Sequence, residues 1–332
     1  MNSFGRIFRV HIFGESHGES VGIVIDGCPA GLSVSADDLL PDLERRKGGK
    51  QKGTTPRQEA DFPFFKSGLF NGKTTGAPVT ILFENNNTRS SDYEKQRSFP
   101  RPGHADWVAH QKYGGNEDYR GGGHFSARLT TGMVAAGAIA KKILGSNITI
   151  VAAVTEIGGE ADLEKGLQKA IDAKDSVGGL VECRVNGLPV GLGEPFFDSV
   201  ESQLAHIAFA IPAVKGVEFG SGFAAAKMFG SQHNDAIENM EGRTRTNHAG
   251  GIVGGISNGN ELVFRIAIKP TASTPKEQNS LNWETGKVEN FSIKGRHDLC
   301  VALRAPVILE AATALALVDL YLLEQHSGRV IR

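Results

Sequence analysis

The stretch FGESHGESVGIVID, Phe13 to Asp26, decides the fold. Its Gly14-Glu15-Ser16-His17-Gly18 satisfies the G-x-S-x-G pattern of a hydrolase nucleophile elbow, in which a strand turns sharply through the serine into a helix. The residues after Gly18 do not read as a helix. Ser20 to Asp26 is rich in Val and Ile, is interrupted by Gly22 and ends at an Asp26-Gly27 turn, which predicts a second strand. Ser16 and His17 then sit on a glycine-flanked loop between strands, a place where functional residues are often carried on a rigid scaffold.

The 332 residues suffice for one large domain or two ordinary ones, with an ample core either way. Lys and Arg total 36 against 37 Asp and Glu, so no global basic field points to nucleic acid or an acidic membrane, and any anion site must be local. Cys28, Cys183 and Cys300 are odd in number, far apart and in no metal-ligand spacing, and MNSFGRIFRVHIF is not an apolar signal segment; both point to a cytoplasmic protein without a metal centre. The most apolar tract, Val301 to Leu323, carries Arg304, Glu310 and Asp319, which favours a buried or amphipathic helix over a membrane span.

Working outward along the chain, strands are predicted at Ile7–Phe13, Ser20–Asp26, Val79–Glu84, Ile148–Glu156, Leu180–Val185 and Leu262–Ile268. Helices are predicted at Ala36–Arg46, with Ser35 and Asp38 as a capping box, at Leu163–Ala173, and at Val200–Phe209, with Asp198 and Glu201 in the same role. The longest, Ser126–Leu144 and Val301–Glu324, are dense in Ala and Gly and should be central. An internal echo supports that placement. FNGKTTGAPVTILFENN (Phe70 to Asn86) resembles SNGNELVFRIAIKP (Ser257 to Pro270), and strand-AGL-helix (Gly22 to Arg46) resembles strand-NGL-helix (Leu180 to Phe209). The expectation is one fused domain of two related halves, near 1–145 and 146–325, with helices between sheets.

Glycine is over-represented, at 42 residues, where a usual ~7% would give about 23. The clusters GESHG, KGGKQKG, YRGGGH and HAGGIVGG read as loops. Three loops combine histidine with arginine or aspartate: GESHG, RPGHAD (Arg101, His104, Asp106) and GRHD (Arg296, His297, Asp298). Arg45, Arg46, Lys47, Lys50, Lys52 and Arg57 fall within thirteen residues that contain no acid, either a solvated loop or an anion clamp. In YRGGGHFSAR, three glycines precede a predicted helix, so backbone N–H groups near Ser126 could cradle a phosphate. Neither the order of a Walker loop nor a strand-linked G-x-G-x-x-G is present, which disfavours a nucleotide triphosphatase and a Rossmann dehydrogenase.

Six blocks in order carry a resemblance to the chorismate synthase family over essentially the whole chain: GESHGESVGIVIDGCP, RPGHADWVAHQKYG, DYRGGGHFSARLTTGMVAAGAIAKK, NHAGGIVGGISNG, KPTAS and GRHDLCVALRAPVILEAA. The resemblance implies an α+β fold, the family's β-α-β sandwich, and a homotetramer. It also implies the last shikimate-pathway step, loss of phosphate and a ring proton from 5-enolpyruvylshikimate 3-phosphate, with reduced FMN required and NADPH a candidate reductant. Two carboxylates and a phosphate call for several forked guanidinium donors, which Arg46, Arg101, Arg128 and Arg296 can supply, and such a ligand favours protonated His17 and His104.

By resemblance His104 protonates the departing phosphate, His17 the reduced flavin, and Asp298 assists removal of the ring proton. Ser16, Ser126 and Arg128 match substrate-contacting positions, and Lys52 a basic position in the anion-binding loop. FMN contacts are implied at His124, Phe125 and Ser126, at Pro212 and Ala213, at Gly254, at Lys269, Pro270, Thr271, Ala272 and Ser273, and at Arg296. His124-Phe125 stands where relatives often have Arg-Ser, Pro212 where Asn is common, and Lys52 where some have Arg, and the chain stops at Arg332, earlier than many relatives. The rival readings are a serine acyl-hydrolase on Gly14–Gly18, which needs strand-turn-helix at Ser16, and a flavin-binding module that releases no phosphate.

Overall fold

The computed structural model describes residues 1–49, 52–55, 59–87, 97–293 and 297–326. Alternating apolar residues build a first antiparallel sheet from β1 (Ser3–Phe4), β2 (Arg9–Gly14), β3 (Ser20–Asp26), β4 (Phe64–Ser67) and β5 (Val79–Glu84), in the order β1-β2-β3-β5-β4. Val21, Ile23 and Ile25 on β3 and Val79, Ile81 and Phe83 on β5 turn their period-two face fully inward. Phe13 lies opposite Gly22 and Gly14 opposite Val21, so GESHG is the loop of a hairpin. No helix follows Ser16, and the nucleophile elbow is absent.

The second sheet takes β6 (Thr149–Ile157), β7 (Gly179–Asn186), β8 (Val214–Phe219) and β9 (Leu262–Ile268) in the order β8-β9-β7-β6, again antiparallel. Counted from β2 and from β6, both sheets run first-second-fourth-third. The described helices of eight or more residues are α1 (Ala36–Arg46), α2 (Asp106–Tyr113), α3 (Thr130–Leu144), α4 (Leu163–Ala173), α5 (Val200–Ala208) and α6 (Ala305–His326). In each half a helix, α1 or α5, lies between the second and third strands, and a long helix, α3 or α6, closes the unit. α3 packs on the first sheet and α6 on the second, and the two pack on each other, giving sheet, helices and sheet in layers. Where they cross, a Cβ on Gly137 would stand 2.4 Å from the Ala311 Cβ. Only glycine permits that approach.

α6 is long and apolar enough to cross a bilayer by composition, but most of it is buried in this core. Its carboxylates are satisfied from other elements. Asp319 accepts the backbone N–H groups of Arg6, Ile7 and Phe8 at 2.7–3.0 Å, and Glu310 accepts from Arg45, Lys141 and the Ala152 N–H. α6 therefore clamps the N-terminal strand, α1 and the second sheet together.

Two long helices start later than the sequence pattern predicts. Ser126 is extended, its Oγ accepts from the Arg128 N–H at 3.2 Å, and one 3₁₀ turn precedes Thr130. Val301–Arg304 is likewise 3₁₀, and α6 begins just before Pro306, a residue suited to a first turn because its missing N–H is unpaired there anyway. For α5 the cap is Ser199, whose Oγ accepts from the Ser202 N–H at 3.0 Å; Asp198, the expected cap, is drawn instead to Arg6 and Gln203.

Candidate active site

The glycine run Gly121-Gly122-Gly123 is the spine of the site. All three residues have positive φ (60°, 84° and 51°), which a side chain would strain. Missing side chains are also required by what lies alongside. A Cβ on Gly121 would fall 2.3 Å from Cε1 of His17 and 2.9 Å from Oγ of Ser16, and one on Gly122 would fall 3.2 Å from Cε1 of His104. The loops GESHG and RPGHAD thus bring their histidines to neighbouring points of one bare backbone. Gly123 completes the junction by accepting the Ser16 N–H at 3.1 Å. Ser16 is fully buried and His17 nearly so.

His104 is oriented from behind. Its Nδ1 lies 2.5 Å from Oδ1 of Asp106, and Arg101 forks onto the same carboxylate through Nε at 2.7 Å and Nη2 at 2.8 Å. Burial alone would raise the Asp106 carboxyl; the hydrogen bonds from Arg101 and His104 overcome it and hold the group well below the usual carboxylate range. A permanent anion at Nδ1 fixes that proton and leaves Nε2 as the working nitrogen. Beside it burial, reinforced by the charge of Arg101, pushes His297 below the usual histidine value, so it is neutral at pH 7.

Arg46 and Arg128, expected as substrate ligands, meet on Asp61. Arg46 donates to Asp61 Oδ2 at 2.9 Å, Arg128 donates to Oδ1, and all three side chains are at most 4% exposed. Burial raises the Asp61 carboxyl, and the two guanidiniums reverse that and leave it lowered. Burial brings Arg46 down to about 10, still charged at neutral pH, and its Nε is buried without a partner among the described residues. Two cations share one carboxylate, so the cluster carries excess positive charge.

Among the described residues of the acid-free run, Arg45, Arg46 and Lys47 meet acids from outside it: Glu310 and Asp42 for Arg45, Asp61 for Arg46, Glu44 for Lys47. Lys52 donates to Gln168 on α4 at 3.0 Å. Lys50 and Arg57 lie outside the described residues, as does Arg296. The proposed phosphate cradle at Ser126 is also corrected: the N–H groups of Ser126, Arg128 and Leu129 bond to Gly123 O, Ser126 Oγ and Ser126 O. Asp298 accepts from the Thr55 N–H at 2.8 Å and from Arg304 at 3.1 Å.

Arg101, His104 and Gly122 open on a cleft of about 690 Å³ that also takes in Asp118, Tyr119 and Phe125. Phe125 separates it from a second pocket of about 370 Å³, which includes His124, Ser126 and Pro212. Here His124 Nδ1 faces the Gly14 carbonyl at 2.8 Å. Ala213 accepts the Lys269 N–H at 2.9 Å, and Lys269 Nζ reaches the Gly103 carbonyl, so the Lys269–Ser273 segment runs along the RPGHAD loop. Within it Ser273 Oγ accepts from Arg101 at 3.4 Å, the Thr271 carbonyl accepts from Ser176, and Pro270 lies against Gly178, with Ala272 partly exposed. Gly254 stands apart. It is next to Gly255, which accepts the Val200 N–H at the start of α5, about 13 Å of helix away from the Pro212 end.

A flavin fits these residues. The cleft has the volume of a cofactor site, Phe125 lines it with an aromatic ring, and so does Trp283, whose Nε1 is buried without a partner among the described residues. Among the described residues no group of three or more His, Cys, Asp and Glu could hold a metal ion. Sequence reasoning noted Asp106 within RPGHAD without giving it a role, and missed Asp61 and Asn85. The Arg-x-x-His-x-Asp spacing was a signal for the first; the other two sit in no motif.

Comparison with known proteins accords with this geometry. A family model described as chorismate synthase matches residues 8–322. A chorismate synthase of Chitinophaga pinensis is 69% identical over 332 residues, covering 100% of both chains, and one of Synechocystis sp. is 45% identical over 350 residues, covering 96% of each. A solved structure, described as the crystal structure of chorismate synthase, superposes with a TM-score of 0.74 at 27% identity, covering 98% of this chain and 94% of that one.

Proposed function

The chain belongs to the chorismate synthase family, and from that premise we propose that the two-histidine site performs the family's reaction, the 1,4-elimination of phosphate from 5-enolpyruvylshikimate 3-phosphate to give chorismate. The observation that carries the assignment is the pair His17 and His104, set on adjacent points of the Gly121-Gly122 backbone, with His104 and Arg101 lining the cleft. One C–O bond and one ring C–H bond break, so the site must neutralise a leaving phosphate and receive a proton.

His104 protonates the leaving phosphate from Nε2, with Asp106 stabilising the imidazolium at Nδ1. Arg101 stands beside it as the guanidinium nearest the departing charge. The excess positive charge of Arg46 and Arg128 on one Asp61 suits the substrate's remaining anionic groups, with Ser16, Ser126, Lys52 and Arg296 as further contacts. Asp298, held by Arg304 and the Thr55 N–H, assists removal of the ring proton.

Reduced FMN, when bound, supplies electron density that helps expel the phosphate without net redox change. The residues proposed to hold it are His124, Phe125, Ser126, Pro212, Ala213, Lys269–Ser273 and Arg296, with His17 as the proton donor beside it. Gly254 is too far along α5 to join them within one chain, and we assign it to the site of a neighbouring subunit in a homotetramer. Phe196, Phe197, Phe223, Phe229 and Met240, all at least 78% exposed, are side chains that such an assembly would cover. The proposed location is the cytoplasm.

The test is phosphate release under anaerobic conditions. Release with reduced FMN, and none with oxidised FMN, is the expected result; equal release in both cases, or without flavin, refutes the assignment.

A further inference from the structure

The turn that carries Ser16 and His17 is bridged by one side chain from outside its hairpin. Asn85 follows β5 directly, and its Nδ2 donates to the carbonyls of Glu15, at 3.0 Å, and Gly18, at 2.9 Å. Both ends of the turn are therefore held by a single amide. Its backbone N–H donates to the Glu19 carbonyl at 3.0 Å, fixing the amide relative to the strand that leaves the turn. On its other side Oδ1 accepts from Nε of Arg128 at 2.9 Å.

This pattern selects asparagine. Two donors must face two carbonyls while an acceptor faces a guanidinium. The flipped amide would set its NH₂ against Arg128 and its oxygen against both carbonyls, so the network fixes the orientation. Aspartate keeps the acceptor but has no donor at neutral pH, serine lacks the second polar atom, and glutamine is one methylene too long.

The anchor behind the amide is rigid. Arg128 is buried, bonds to Asp61, and donates to the Glu84 carbonyl at 3.1 Å and Thr131 Oγ1 at 3.3 Å. The ring in front of it has no slack, because His17 occupies the space that a Cβ on Gly121 would need. A displacement of the turn must therefore move the imidazole. We propose that Asn85 is a positioning residue for His17, which ties the proton-handling ring to the Arg46–Asp61–Arg128 cluster. This rests on the reading of His17 as part of the reacting site.

The experiment reads the ring first and turnover second. In the full-length protein with FMN, the ¹³Cε1–¹H signals of His17 and His104, identified by His17→Gln and His104→Gln, are compared between wild type, Asn85→Ala, the isosteric Asn85→Asp and the neighbouring Asn86→Ala. Asn85→Asp preserves the Arg128 contact and serves if the alanine variant does not fold. Both Asn85 variants should shift the His17 signal and leave that of His104 in place, while Asn86→Ala changes neither.

Turnover should fall roughly 10–100-fold, the scale of an ångström-level misplacement, with KM within about threefold. In a His17→Ala background the further loss from Asn85→Ala should shrink to less than about twofold, because residues acting through one another are not additive. An unmoved His17 signal, or an equal loss with and without His17, overturns the proposal. Full activity of His17→Ala would instead refute the functional reading, and the ring signal would still decide whether Asn85 positions it.

Discussion

His297 is a neutral imidazole among charges, and that state has a measurable consequence. Its folded value lies below the ordinary histidine value of 6.5, chiefly through burial, whereas the unfolded chain titrates near ~6.5. At pH 8 neither state binds the proton. As pH falls through the unfolded value, the unfolded chain takes up a proton that the folded chain refuses, so stability drops until the folded value is passed. Urea midpoints should therefore fall more steeply between pH 7 and 5.5 in wild type than in His297→Asn. Identical slopes would mean that the ring titrates normally in the fold. At this scale the sequence displayed His17, Arg101, His104 and Asp298, because each sits in a compact motif that combines histidine with arginine, aspartate or glycine. It did not display Asp61 or Asn85, whose partners lie 15 to 70 residues away and whose identity follows from a geometry that no local pattern encodes. The counter-charges of Arg45, Arg46 and Lys47 are hidden for the same reason, since they are supplied from α1, Asp61 and Glu310.

Between elements, the α3–α6 crossing sets two ordinary effects against each other. Replacing Gly137 by alanine in a helix interior should gain up to about 1 kcal/mol of propensity. The new Cβ would stand 2.4–2.5 Å from Ala311, against backbone and Cβ that cannot turn aside, and overpacking of that kind costs about 1–3 kcal/mol. Overpacking wins, so Gly137→Ala should lower unfolding stability by about 1–2 kcal/mol in urea titrations. A gain would show that the helices separate freely. The bounds of β3, β5, β9, α1 and α4 followed from residue periodicity and caps alone. The starts of α3 and α6 did not, because each begins with a 3₁₀ turn shaped by tertiary contacts, Arg128 toward Asp61 and Arg304 toward Asp298.

For the whole molecule, the two sheets share one strand order when counted from β2 and from β6, and FNGKTTGAPVTILFENN includes β5 while SNGNELVFRIAIKP includes β9, the fourth strand of each set; we propose that the two halves are related on that ground. Phe196, Phe197, Phe223 and Phe229 are exposed aromatic side chains after β6, and the proposed tetramer would cover them. Sedimentation equilibrium at micromolar concentration should give four chains per particle, and Phe223→Asp with Phe229→Asp should dissociate it; a monomeric wild type would remove the explanation offered for Gly254. The central claim concerns the site on the glycine spine, and single-turnover phosphate release with reduced FMN under anaerobic conditions tests it most directly. His17→Ala and His104→Ala should each slow that release by roughly 10²–10⁴-fold, the usual scale for loss of a general acid, while Ser16→Ala is milder. Abolition of release by Ser16→Ala, with both histidine variants near wild type, would contradict the account.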